Sequence, residues 1–281
     1  MSTLIDGKAL AAQLRTEIRE QAENFRKQRG KDIGLAVILV GEDPASQVYV
    51  RNKIKACEEV GVKSFSYHLP AHTTEEQLIS LVDELVASDN VHGILVQLPL
   101  PSHLNERKIL AHIPPAKDVD GFCAENVGNL AMNRQTIVAC TPFGVMKMLE
   151  KYGIDPKGKN AVVLGRSNIV GKPMAMLLLN ADATVTVCHS KTKNLKEICA
   201  AADILVVAIG RAKFVTADMV KEGAVVIDVG MDRDENGKLC GDVDFEKVKE
   251  KASYITPVPG GVGPMTITML LYNTVLAATR S

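Results

Sequence analysis

Five stretches of this chain carry residue types at spacings that chemistry could use. VVLGRSNIVGKPMAMLLLN (162–180) reads as a strand entering a helix through a glycine turn, the usual seat of a dinucleotide phosphate. YVRNKIKACEEVG (49–61) sets Tyr49 and Lys53 at i, i+4, on one helix face. VQLPLP (96–101) places the neutral amide of Gln97 where an apolar run breaks into prolines. KDVDGF (117–122) brings two carboxylates, Asp118 and Asp120, up to Gly121. They either shape a turn or offer a ligand a carboxylate acceptor. PGGVGPMT (259–266) gathers three glycines and two prolines, which permits close backbone approach to a ligand or another chain.

The glycine turn departs from the usual G-x-G-x-x-G. Gly165 ends the strand and Gly171 lies near the helix start, but Ser167 replaces the second glycine and the spacing is one residue longer. The following strand ends in Cys188-His189-Ser190-Lys191, without the acid that an NAD-preferring site uses on its ribose. Ser190 can donate a hydrogen bond, and Arg166 supplies a planar fork suited to phosphate. Both fit the extra 2′-phosphate of NADP. The alternative is a surface arginine, with Ser190 capping the next turn.

Alternating periods must position these residues. Gly7–Arg29 has Leu10, Leu14, Ile18 and Ala22 at helical spacing. Strands are expected at 34–41, 62–70 and 92–101, with helices at 44–60 and 73–88, the latter capped with Glu76 in a capping box. This β-α-β-α-β order implies a parallel sheet. HIPPAKDVDGF (112–122) reads as a loop and 125–132 as a short helix. A second series has helices at 141–153, 172–180, 195–202 and near 217–221, and strands at 160–165, 183–189, 203–210 and 224–230. RDENGKLCGD (233–242) is a hairpin or exposed loop, and a final apolar helix covers 265–280.

The totals agree. A length of 281 residues suits two compact units, and 46% hydrophobic content is ample for their cores. Lys+Arg and Asp+Glu are both 33, which argues against a nucleic-acid partner and for a small ligand. The six cysteines form no C-x-x-C pair and the six histidines no metal pattern, so no metal and reduced thiols are expected. MSTLIDGKAL is no signal peptide, and no apolar run approaches the ~20 residues of a membrane helix. A soluble, cytoplasmic protein with no membrane partner is expected.

Together PGGVGPMT, VQLPLP, KDVDGF and the Tyr49–Lys53 pair resemble the methylenetetrahydrofolate dehydrogenase/cyclohydrolase family, from IDGK to the last helix. The resemblance implies a bifunctional enzyme of one-carbon metabolism that feeds purine biosynthesis. It would oxidise methylenetetrahydrofolate with NADP⁺ and then hydrolyse the methenyl product to formyltetrahydrofolate. The implied fold is two α/β domains with parallel sheets, the C-terminal one Rossmann-like, with a folate cleft between them. Residues 1–140 plus 265–281 would form the folate domain and 141–264 the NADP domain, through which two chains form a homodimer. The implied catalytic set is Lys53, Tyr49, Gln97 and Asp120, with Val96, Leu98, Pro259, Gly260 and Gly261 also binding substrate. Gly165, Arg166, Ser167, Ser190 and Met231 would hold NADP; Met231 stands where isoleucine is frequent.

The chemistry gives those types a reason. Hydride transfer asks chiefly for position. Hydrolysis needs a group that takes a proton from water and returns one to a ring nitrogen. A lysine can do both where burial or the cationic substrate favours its neutral form. Gln97 would hold that amine without a counter-charge, and Asp120 could accept from the pterin's donor edge. Two rivals are a two-domain NADP dehydrogenase for a small hydroxy acid, like a shikimate dehydrogenase, and a catalytically silent NADP-binding regulator. PGGVGPMT speaks against the first, and intact Lys53 and Gln97 against the second.

Cofactor choice follows from Arg166, Ser190 and the missing acid. Replacing both residues with alanine should raise the KM for NADP⁺ far more than that for NAD⁺. Each lost charge-assisted contact costs roughly 1.5–3 kcal/mol, about ten- to a hundredfold. Steady-state kinetics with the two nucleotides check this, and equal use of both by the unmodified protein would sink it.

Overall fold

Apolar runs bounded by glycines and capping residues become the elements of this chain, which a computed structural model describes over residues 2–281. The first series is β1 (Thr3–Leu4), α1 (Gly7–Arg29), β2 (Gly34–Val40), α2 (Pro44–Val60), β3 (Lys63–Leu69), α3 (Glu75–Ala87) and β4 (Gly93–Val96). Three helices follow, α4 (Glu106–Leu110), α5 (Ala124–Ala131) and α6 (Cys140–Lys151). The second series is β5 (Asn160–Leu164), α7 (Gly171–Asn180), β6 (Thr184–Cys188), α8 (Leu195–Ala200), β7 (Ile204–Val207) and β8 (Val225–Asp228). The chain ends with β9 (Asp232–Arg233), β10 (Leu239–Cys240), α9 (Phe245–Val248), β11 (Tyr254–Ile255) and α10 (Val262–Arg280).

Two compact units result. One comprises Gln13–Cys140 and Ile267–Ser281; the other comprises the residues up to Ala12 with Thr141–Thr266. The N-terminal segment was expected with the folate residues, from Met1, which lies outside the described residues. It goes instead with the other sheet, because β1 pairs in parallel with β11.

In the first unit β2 is the central strand of a parallel sheet ordered β3-β2-β4. All seven of its residues are buried, as a continuous apolar run requires. On one face Ala36, Ile38 and Val40 meet Leu78, Val82 and Leu85 of α3. The capping box of α3 differs from expectation: Gln77 N donates to Thr74 Oγ1 (3.3 Å) and Thr74 N to Gln77 Oε1 (2.9 Å). Thr73 donates its hydroxyl to Pro70 O, so the helix starts one residue later and Glu76 falls outside the box.

In the second unit six parallel strands run in the order β1-β11-β8-β7-β5-β6. Four were expected; β1 and β11, two residues each, extend one edge. β9 and β10 pair as the antiparallel hairpin of the N-G turn, with Gly237 at φ +74°. Helix α10 begins three residues before expectation, since a proline in the first turn (Pro264) is tolerated. Among the described residues it is the one helix long and apolar enough to cross a membrane, against the expectation that no run was. However, 61% of that stretch is buried, as in a core helix.

Candidate active site

Lys53 and Tyr49 owe their place to a well-bounded helix. Asp43 accepts from Ser46 N at 2.8 Å to open α2, Pro44 fits its first turn, and Gly61 closes it at φ +74°. Along this helix Arg51 and Lys55 are exposed, whereas Tyr49 and Lys53 are half-buried. Burial raises the Tyr49 phenol. Gln97 lies just past β4, its backbone N donating to Ile38 O of β2 at 2.8 Å. Its Nε2 donates to Leu98 O (2.7 Å), which leaves Oε1 to accept from Lys53 Nζ at 3.0 Å. The amine is thus gripped by a neutral group. Val96 is 2% exposed as a whole residue and belongs to the core.

The two acids of KDVDG differ in their bonds. Asp118, 5% exposed, shapes the turn: it accepts from Gly121 N (3.1 Å), Cys123 N (2.8 Å) and Asn126 Nδ2 (2.9 Å). Gly121 stands at φ +72°, where an added Cβ would lie 2.6 Å from Ala139 N. Asp120 takes no part in these bonds. Burial lifts its carboxyl to about 6, with nearby Lys53 pulling down and Asp118 pushing up.

The loop is tied at both ends. Ile94 N donates to Lys117 O (2.8 Å), and Lys117 Nζ donates to Val86 O and Ser88 O, both at 2.8 Å. Asn273 of α10, 1% exposed, donates through Nδ2 to Val119 O (2.8 Å) and Val138 O (2.9 Å). Sequence reasoning passed over Asn273 and assigned Asp118 no separate role. A polar residue inside the apolar run ITMLLYNTVLAA was the available signal for Asn273. Tyr49, Lys53, Gln97 and Asp120 therefore all lie in one unit.

Val96 and Leu98 share that unit, and the remaining predicted residues lie in the second one. Gly165 follows β5 at φ +128°, where a Cβ would stand 2.2 Å from Ala208 O; at Gly171 a Cβ would stand 2.3 Å from Gly165 O. No side chain fits this cradle, which suits a phosphate approached by backbone. Ser167 Oγ accepts from Val170 N (3.2 Å) and Gly171 N (3.3 Å). Arg166 is exposed on the turn, and Ser190 is exposed just past β6, the strand paired with β5. The turn after β6 is closed by Thr192, whose Oγ1 accepts from His189 N at 2.9 Å, so Ser190 is not its capping residue. Met231 is 46% exposed after β8. In the glycine-proline loop Val258–Pro259 is cis, Gly260 stands at φ +105°, and its carbonyl accepts from Lys8 N at 2.9 Å. Among the described residues no cluster of His, Cys, Asp or Glu could hold a metal ion.

Comparison with known proteins gives two successive matches. The tetrahydrofolate dehydrogenase/cyclohydrolase catalytic-domain family model matches residues 5–120, and that of the family's NAD(P)-binding domain matches residues 139–281. The bifunctional protein FolD of Lachnoclostridium phytofermentans is 57% identical over 280 residues, 100% of this chain and 99% of that one. The crystal structure of the bifunctional FolD enzyme of Campylobacter jejuni superposes with a TM-score of 0.98 at 55% identity, over 100% of this chain and 99% of that one. A Trypanosoma brucei methylenetetrahydrofolate dehydrogenase-cyclohydrolase, complexed with NADP cofactor and inhibitor, gives 0.95 at 43% identity, over 99% and 98%.

The carboxyl of Asp120 gives a test of stability and binding together. A folded value near 6 against an ordinary 3.8 means that the folded chain holds this proton more tightly than the unfolded one. The stability it contributes is present at low pH and lost as pH rises through about 6. Above that, the ionised group costs on the order of 3 kcal/mol. Asp120→Asn should therefore raise the thermal midpoint at pH 8 while weakening tetrahydrofolate binding at least tenfold. A lowered midpoint with unchanged folate affinity would make Asp120 a structural residue.

Proposed function

This chain belongs to the tetrahydrofolate dehydrogenase/cyclohydrolase family, and from that premise we propose which of its residues carry the family's two reactions. It is a bifunctional enzyme, oxidising methylenetetrahydrofolate to methenyltetrahydrofolate with NADP⁺ and hydrolysing that product to formyltetrahydrofolate. The observation that carries the assignment of roles is the 3.0 Å bond from Lys53 Nζ to Gln97 Oε1.

Lys53 is the acid/base of the hydrolytic step. The neutral amine accepts a proton as water attacks the methenyl carbon, and the ammonium returns it to the ring nitrogen that leaves. Gln97 aims the amine, its own orientation set by the bond to Leu98 O. Asp120, free of the turn bonds that Asp118 makes, accepts from the pterin's donor edge. Tyr49 packs against the folate one turn before Lys53. Leu98, Val96 and the loop Pro259-Gly260-Gly261 complete the substrate contacts. Gly165, Arg166, Ser167, Ser190 and Met231 hold the nucleotide, and the glycine cradle beside exposed Arg166 and Ser190 supports this. When bound, NADP⁺ supplies the hydride acceptor for the oxidation. The unit of Gln13–Cys140 and Ile267–Ser281 thus takes the acid/base chemistry, and that of Thr141–Thr266 the nucleotide.

The wider setting is that of the family. The protein works in the cytoplasm as a homodimer formed through the NADP-binding unit, away from membranes and nucleic acid, and its product feeds purine biosynthesis. A formal charge of zero supports a small-molecule partner. Exposed Leu179 and Val187, the latter on the edge strand β6, support an interface on that unit.

Lys53→Met keeps the apolar stem and removes the amine. Hydrolysis of supplied methenyltetrahydrofolate, corrected for the spontaneous reaction, should fall by at least the ~10²-fold typical of a lost general acid/base. NADP⁺ binding should persist, and methenyltetrahydrofolate should accumulate as far as the dehydrogenase survives. Near-normal hydrolysis by this variant would remove Lys53 from the mechanism.

A further inference from the structure

Two buried carboxylates outside the reacting groups join the loops that follow β7 and β8. Asp242, fully buried just past β10, accepts from three successive backbone amides: Ile209 N (2.7 Å), Gly210 N (3.3 Å) and Arg211 N (2.5 Å). Asp228, the last residue of β8 and 3% exposed, accepts from Gly230 N (2.9 Å), Asp242 N (3.0 Å) and Val243 N (2.9 Å). All of these donors are backbone N–H groups. A buried carboxylate is costly unless its acceptor sites are filled, and these are. The neighbours are shaped to admit them. A Cβ at Gly241 would stand 2.0 Å from Asp228 Oδ2, and one at Gly230 would stand 2.5 Å from Asp242 N.

What the pair braces is the rim of the nucleotide turn. The segment 209–211 continues from Ala208, whose carbonyl oxygen closes on Gly165 to within 2.2 Å of where a Cβ would be. Gly230 leads directly to Met231. In open parallel sheets the ligand lies beyond the carboxyl ends of the strands, where these loops are. We propose that Asp242, backed by Asp228, is a positioning residue of the NADP⁺ site: it holds the 208–211 turn against Gly165 and ties it to the Gly230–Met231 backbone. This rests on the reading that the nucleotide seats on the Gly165 turn. The hairpin of β9 and β10, which reads in sequence as a hairpin or exposed loop, becomes the arm that delivers the carboxylate.

The test is direct NADP⁺ titration by calorimetry of the full-length enzyme, its Asp242→Asn variant and its Asp228→Asn variant. Asparagine keeps the shape but turns an NH₂ donor toward amide donors. The Kd for NADP⁺ should rise at least tenfold in the Asp242 variant and also rise in the Asp228 variant. At saturating NADP⁺ the kcat should stay within about threefold, a split that general unfolding would not give. Binding within twofold of the parent by folded variants would overturn the proposal, whereas a parent that fails to bind NADP⁺ would overturn the reading beneath it. Amide exchange in the unmodified protein decides independently of how the variants fold. Gly210 and Arg211 are exposed, yet their amides should exchange at least a hundredfold more slowly than those of a free loop. Exchange at unprotected rates would overturn the role of Asp242.

Discussion

In the unit proposed to handle the folate, the arrangement centres on one contact: the Lys53 amine held, half-buried, by the neutral amide of Gln97. A carboxylate in the place of Gln97 would grip Lys53 more strongly, but it would stabilise the ammonium and oppose the base role. An amide supplies direction without charge. Its orientation is not free, since Nε2 is spent on Leu98 O and only Oε1 faces the amine. The sheet sets the distance. β2 is buried along its whole length, β4 pairs with it, and Gln97 N continues that pairing onto Ile38 O. Asp120 is the nearby acid whose influence must be controlled. The loop carrying it is fixed by Asp118, Lys117 and Asn273, none of which spends a bond on Asp120 itself.

The nucleotide unit answers a different constraint, that of close backbone approach. At Gly165 and Gly171 the neighbouring backbone leaves no room for a side chain. Such crowding is useful only if the facing loops are held rigidly. In this unit backbone amides donate to buried carboxylates, whereas in the folate unit a side-chain amide directs an amine. Both arrangements fix a polar group in place by filling its acceptor sites.

Much of this was legible in sequence, for identifiable reasons. Helices α1 and α2 carry several turns of periodicity and glycine stops, and β2 is a continuous apolar run, so their bounds could be read closely. β1 and β11 are two residues each, too short to show any period, and their pairing joins positions some 250 residues apart. The capping box went to Gln77 rather than Glu76 because both threonines read alike until Thr73 is seen bonded to Pro70. Tyr49, Lys53, Gln97 and Asp120 came from motifs. The division between Asp118 and Asp120, the brace from Asn273 and the burial of Asp242 did not. Each depends on hydrogen bonds that only the folded chain brings together.

The central claim, that the amine must be held without a counter-charge, is tested most directly by Gln97→Glu. The change keeps length and one acceptor oxygen and adds a negative charge at the 3.0 Å contact. Hydrolysis of supplied methenyltetrahydrofolate should be measured across pH 6–9 beside Gln97→Ala, which removes the contact without adding charge. If a counter-charge opposes the base role, the glutamate variant should be slower at neutral pH than both the parent and the alanine variant. A glutamate variant as fast as the parent at neutral pH would contradict it.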